Sequence, residues 1–103
     1  MPVTEVNQKN FETEVLKSET PVLADFSAEW CGPCRAMKPM LEELAASEPG
    51  CRLVTVDVDR EKGLASEYGV TSIPCLVLFR GGREVRRSVG LLSRDALKAL
   101  AES

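Results

Sequence analysis

Cys31 and Cys34 stand three positions apart in Trp30-Cys31-Gly32-Pro33-Cys34, between an apolar run and a helical pattern. If Cys31 caps the helix and Cys34 is its third residue, the two side chains meet on the first turn. Their Cα atoms then fall within the roughly 4.4–6.8 Å that a disulfide requires. The same placement aims free backbone N–H groups and the positive helix end at the Cys31 sulfur. A thiolate is stabilised there, so Cys31 reads as the nucleophile and Cys34, one turn inside and shielded, as the resolving thiol. Pro33 suits a first turn, where its missing N–H would have had no partner. Two other readings of the spacing exist. One is a pair of buried cysteines without chemistry. The other is a metal site completed by Cys51 and Cys75, although no second Cys-x-x-Cys is present to form a zinc ribbon.

Asp25 is the next anomaly. It interrupts the apolar run Val22-Leu23-Ala24-Asp25-Phe26 that leads into the cysteine turn. A carboxylate there is expected to sit beneath the pair with its pKa raised toward neutrality by desolvation. It can then take the proton of Cys34, directly or through one water. The competing reading is a strand-end carboxylate that reaches solvent or a lysine. Trp30, beside the reactive turn, reads as a partly exposed contact residue rather than core. The chain contains no histidine. Cys-His and Ser-His catalysis and every histidine metal site are thereby excluded.

These residues need a scaffold. The 103 residues fit one domain, 1–103. A net charge of −3 argues against a general affinity for nucleic acid or anionic membrane. No run approaches the roughly 20 apolar residues that span a bilayer. The polar start Met1 to Glu5 does not resemble a secretory signal, so a soluble, cytoplasmic protein is expected; separately, a monomer is expected. In that compartment a Cys-x-x-Cys pair reads as redox or metal chemistry rather than a structural staple.

Thr4-Glu5-Val6 reads as an edge strand, and Asn7 as the cap of a helix with Phe11 and Val15 inward. Val22–Phe26 suits a central strand. Met37, Met40, Leu41, Leu44 and Ala45 mark one face of a long helix that Pro39 is expected to interrupt. Leu53–Val58 is a β-branched strand. Asp59 is expected to cap a short helix with Leu64, Ala65 and Tyr68 inward, ended by Gly69. Cys75–Phe79 and Glu84–Val89 flank the hairpin signal Gly81-Gly82. Arg83, Arg86 and Arg87 read as a solvated edge that discourages sheet-to-sheet association. Ser93 caps a last helix with Ala96, Leu97, Leu100 and Ala101 inward. The order starts with alternating strands and helices and ends in a hairpin, which requires a mixed α/β sheet.

Asp25-Phe26-Ser27-Ala28-Glu29-Trp30-Cys31-Gly32-Pro33-Cys34, then Pro39, Asp57-Val58-Asp59, Ile73-Pro74, Gly82 and Gly90, resemble the thioredoxin family in order over nearly the whole chain. The resemblance implies a thioredoxin fold, a five-stranded mixed sheet flanked by four helices, with Pro74 cis and near Cys31. It implies a thiol–disulfide oxidoreductase that donates electrons to client protein disulfides and is re-reduced by a thioredoxin reductase. No cofactor or metal is implied beyond the Cys31–Cys34 disulfide itself. Trp30, Gly32, Pro33, Ile73, Pro74, Gly90 and Leu91 would form the apolar patch that receives the client, and Pro33 resembles the reducing members. Three positions depart from the pattern. Ser27 replaces a bulky residue. Thr55 stands where some relatives carry a lysine near the acid, which should make Asp25 harder to ionise. Cys75 replaces a threonine and brings a third thiol near the pair. It reads either as a small buried residue or as an alternative partner of Cys31. Cys51, at a strand start, is expected to be exposed.

Overall fold

The structure is a computed structural model, and it describes residues 3–103. Met1 and Pro2, the start of the polar N-terminal stretch, lie outside the described residues. Five strands form one mixed sheet: β1 (Thr4–Glu5), β2 (Val22–Ser27), β3 (Arg52–Asp57), β4 (Cys75–Arg80) and β5 (Arg83–Val89). Their order is β1-β3-β2-β4-β5. β3 is parallel to both β1 and β2, whereas β4 is antiparallel to both β2 and β5. The helical elements are a π-helical turn (Glu12–Leu16), α1 (Gly32–Ser47), α2 (Lys62–Glu67) and α3 (Arg94–Glu102).

Strand alternation sorts the core into two layers. Val22, Ala24 and Phe26 face the layer of Phe11, Val15 and Leu64, from the π-helical turn and α2 side. Leu23 faces the layer of Met37, Leu41 and Leu97, from α1 and α3. Asp25 follows the parity of Leu23 and so lies on the α1 side. Phe26 and Phe79 are fully buried, each contributing roughly 1.5–3 kcal/mol by area. Phe79 meets the rings of Phe11 and Tyr68 edge-on, with Tyr68 and Phe79 centroids 5.4 Å apart, and Phe11 and Tyr68 pack tilted.

The hairpin between β4 and β5 uses Gly81 (φ 59°) and Gly82 (φ 80°). Both are left-handed, as a two-residue turn of the primed type requires. A Cβ on Gly82 would stand 2.7 Å from the Leu16 carbonyl oxygen. Glycine at position 82 thus lets the hairpin close against the π-helical turn.

Several local expectations are corrected. Asn7 does cap its turn, its Oδ1 accepting from the N–H groups of Lys9 and Asn10. The element that follows is π-helical, closed by the Lys17 N–H on the Glu12 carbonyl at 2.8 Å. α1 runs without a break through Pro39. The buried stripe of Met37, Leu41, Leu44 and Ala45 holds it on the sheet despite the missing donor. Asp59 does not cap α2; Glu61 occupies that position. Asp57 closes the preceding turn instead, accepting from the N–H groups of Asp59 and Arg60. Ala96 is exposed, because the inward stripe of α3 is Leu97 and Ala101 with Leu100 half-buried. Cys51 is buried rather than exposed, covered in the layer of Leu23 and Leu53.

Candidate active site

β2 ends at Ser27, and the chain turns through Trp30 into the start of α1. Cys31 occupies the N-cap in extended backbone (φ −84°, ψ 113°), with Pro33 in the first turn. The Cys34 N–H donates to Cys31 Sγ at 3.3 Å. The sulfur thus takes the place that a capping serine or aspartate oxygen would fill, satisfying one orphan donor of the helix. Cys31 and Cys34 are joined as a disulfide with Cα atoms 5.2 Å apart.

The expected contrast between an outward Cys31 and a shielded Cys34 is absent from this disulfide form. They are 4% and 5% exposed, packed together with Ala28 and against Val58 and Ile73. Their surroundings still differ. Cys31 Sγ lies 4.0 Å from the Ile73 carbonyl oxygen. Cys34 instead lines a cleft of about 580 Å³ on the α1 side of the sheet, together with Asp25, Thr55, Asp57, Lys38 and Arg60.

Asp25 is 3% exposed. In register it lies between Thr55 of β3 and Leu76 of β4. Its Oδ1 is buried with no hydrogen-bond partner among the described residues. Burial alone pushes its pKa up to about 7; no cation offsets the desolvation. Both the acid and its conjugate base are therefore populated near neutral pH, facing the cleft that Cys34 also lines. An acid of this kind can accept or return a proton at the sulfur pair.

The cis peptide bond expected at Pro74 is present between Ile73 and Pro74. The Gly90 N–H donates to the Pro74 carbonyl at 2.8 Å, and Gly90 has φ 101°. Pro74 is buried and Ile73 half-buried. Gly32, Pro33 and Leu91 are exposed. Trp30 is 66% exposed, and its Nε1–H donates to Asp59 Oδ2 at 2.7 Å. Reading Asp59 as a helix cap had missed this contact; its place in Asp57-Val58-Asp59 was the signal available. Val89 is a further exposed apolar residue at this end of the sheet that the sequence reading did not single out.

Cys75 is buried in the Phe26 layer, on the face opposite Asp25. Burial raises its pKa, against a weaker lowering by Arg87. Its packing there is that of a small apolar side chain. Burial likewise raises the pKa of Cys51. Among the described residues no group of three or more His, Cys, Asp or Glu side chains is arranged to hold a metal ion. No helix there is long and apolar enough to cross a membrane.

The thioredoxin family model matches residues 2–103. The thioredoxin of Chlamydia trachomatis serovar D is 48% identical over 92 residues, which cover 89% of this chain and 88% of that protein. Thioredoxin 1 of a Nostoc species is 41% identical, covering 95% of this chain and 92% of that one. Among solved structures, a mutant thioredoxin from Halobacterium salinarum NRC-1 superposes with a TM-score of 0.90. It is 42% identical, covering 98% of this chain and 88% of the other.

Proposed function

Since this chain belongs to the thioredoxin family of thiol–disulfide oxidoreductases, we propose that it is a protein-disulfide reductase working through Cys31, Cys34 and Asp25. The observation that carries the reading is the disulfide at a helix start, with an unpartnered buried acid lining the same cleft as Cys34.

In the reduced protein the Cys31 thiolate attacks one sulfur of a client disulfide. A mixed disulfide forms, and the first client thiolate leaves and is protonated. Asp25 as carboxylate takes the Cys34 proton. The Cys34 thiolate then attacks Cys31 Sγ, forming the Cys31–Cys34 bond and releasing the second client thiolate. Two electrons pass to the client, and the chain is left oxidised. A thioredoxin reductase returns it to the dithiol.

The cap position supports Cys31 as nucleophile, since the Cys34 N–H already points at its sulfur. Gly32 and Pro33 tune the first turn of the pair. Trp30, Ile73, Pro74, Gly90 and Leu91 receive the client, with the Ile73 backbone pairing to its extended chain. The chain acts as one domain over residues 1–103, as a cytoplasmic monomer without a cofactor.

The test is a Cys34→Ser variant incubated with a disulfide-bearing protein substrate or a cell extract. It should accumulate mixed disulfides through Cys31, while wild type turns the substrate over. Full turnover by a Cys31→Ser variant would end the redox reading.

A further inference from the structure

β5 closes one edge of the sheet and, among the described residues, pairs only with β4. All of Arg83–Val89 is exposed except half-buried Ser88. The strand is an exposed edge of seven residues, broken by a bulge that leaves Val85 without a partner between Glu84 and Arg86. On the Arg86–Val89 side of the bulge it presents a regular edge to which a further strand can add. This edge also differs in charge from the molecule as a whole. It carries three arginines against one glutamate, in a chain whose net charge is −3. Arg87 is occupied: it donates to Glu84 at 2.8 and 2.9 Å and to the Tyr68 carbonyl at 2.6 Å. Arg83 and Arg86 form no ion pair among the described residues.

The edge begins beside the disulfide. Val89 lies opposite Cys75 in register, and the next residue, Gly90, is bonded to Pro74. From there the strand runs away for about 20 Å, at the usual rise per residue, to Arg83. We infer that β5 is an accessory docking edge for an acidic, extended segment of a client protein, which adds to the sheet as a sixth strand while the client's disulfide sits at Cys31. This rests on the reductase reading above. Main-chain hydrogen bonds would supply the pairing, and Arg83 and Arg86 the choice of acidic side chains. A second copy of this chain is the poorer occupant. Two β5 strands paired antiparallel about their centre would set Arg86 against its own copy, and like charges across a ladder are destabilising.

The experiment uses the full chain and two disulfide peptides that differ only in their flanking segments. One carries glutamate at alternate flanking positions, the other glutamine. The wild-type ratio of kcat/KM, acidic over neutral, should be roughly three- to tenfold at low salt, as expected for two exposed charge pairs. It should shrink toward one at 0.2 M salt, where screening is strong. It should also shrink toward one in the Arg83→Gln/Arg86→Gln double variant at low salt. A wild-type ratio near one, or a ratio unchanged in the double variant, overturns the docking edge while reduction of the glutamine peptide leaves the reductase reading standing. Failure to reduce either peptide overturns both.

Discussion

Asp25 is buried and its Oδ1 is unpartnered, so the protein should lose stability as this carboxyl ionises in the folded state. In the unfolded chain the group titrates at 3.8; in the fold its pKa is about 7, raised by desolvation. Between those values the unfolded chain gives up its proton while the folded one keeps it. The folded state therefore binds more protons, and stability falls as pH rises. The fall begins near the unfolded pKa and levels off above the folded one. This is the opposite sign to a salt-bridged carboxylate, which loses stability as pH falls.

The gap between the two pKa values corresponds to about 4 kcal/mol in full, at 1.36 kcal/mol per unit. About 3 kcal/mol of it falls between pH 5 and pH 8 by linkage. Asp25→Asn keeps the shape and removes the ionisation. Urea unfolding of oxidised wild type and variant, at unit steps from pH 5 to pH 8, isolates the contribution, because Cys31 and Cys34 are disulfide-bonded and Cys75, whose pKa Asp25 helps to raise, keeps its proton in that range. The variant should gain on wild type by about 3 kcal/mol across that range. A gap that stays flat with pH, or that moves in favour of wild type, would refute the placing of a raised, unpartnered acid at this position.

Two further outcomes follow from the packing. Gly82→Ala should destabilise the protein by about 2 kcal/mol or more, since the residue is left-handed and its Cβ meets a backbone oxygen. Gly81→Ala, also left-handed but with open space around its Cβ, should lose only about 1 kcal/mol; equal losses in thermal or urea unfolding would remove the role given to Leu16. Mild peroxide treatment of the folded dithiol should yield the Cys31–Cys34 disulfide with Cys51 and Cys75 still free, because both are buried with raised pKa values. A Cys31–Cys75 peptide recovered by mass mapping would show that Cys75 belongs to the reacting site.

Legibility in the sequence tracks how local each determinant is. The cysteine turn was readable because the N-cap, the first-turn proline and the three-residue spacing all lie within one helical turn. The strands were readable where β-branched or apolar residues ran together, and the two-glycine hairpin where both residues had to be left-handed. Asp59 and Cys51 are not legible locally, because what they meet is set by the assembled sheet and turns. The Asp59 carboxylate finds an indole 29 residues away. Cys51, beside Gly50 and a turn, looks exposed until the layer formed with Leu23 and Leu53 covers it. Pro39 is a related case. Its local penalty is real, yet the buried stripe on α1 outweighs it. Ala96 shows the converse: an apolar residue at near-helical spacing lies outside the inward stripe, which is narrower than its spacing suggests.

The direction of each strand explains why residues so far apart in sequence meet at one end of the sheet. β2 delivers the Cys31 turn at its C-terminal end. β3 is parallel to it, with Asp57 opposite Ser27, so the turn carrying Asp59 emerges at that same end. β4 is antiparallel, with Cys75 opposite Phe26, so its start, and with it Ile73 and Pro74, lies there too. β5 reverses again and brings Val89 opposite Cys75, with Gly90 and Leu91 following. The mixed sheet is thus what assembles the site. Its register is equally binding, because the side-chain period is two. A one-residue slip of β2 would carry Asp25 into the Phe26 layer and place an aromatic ring behind Cys34. The acid is held on the α1 face by the apolar residues that alternate with it. Val22, Ala24 and Phe26 can be buried against Phe11 and Val15 only if Asp25 faces the cleft.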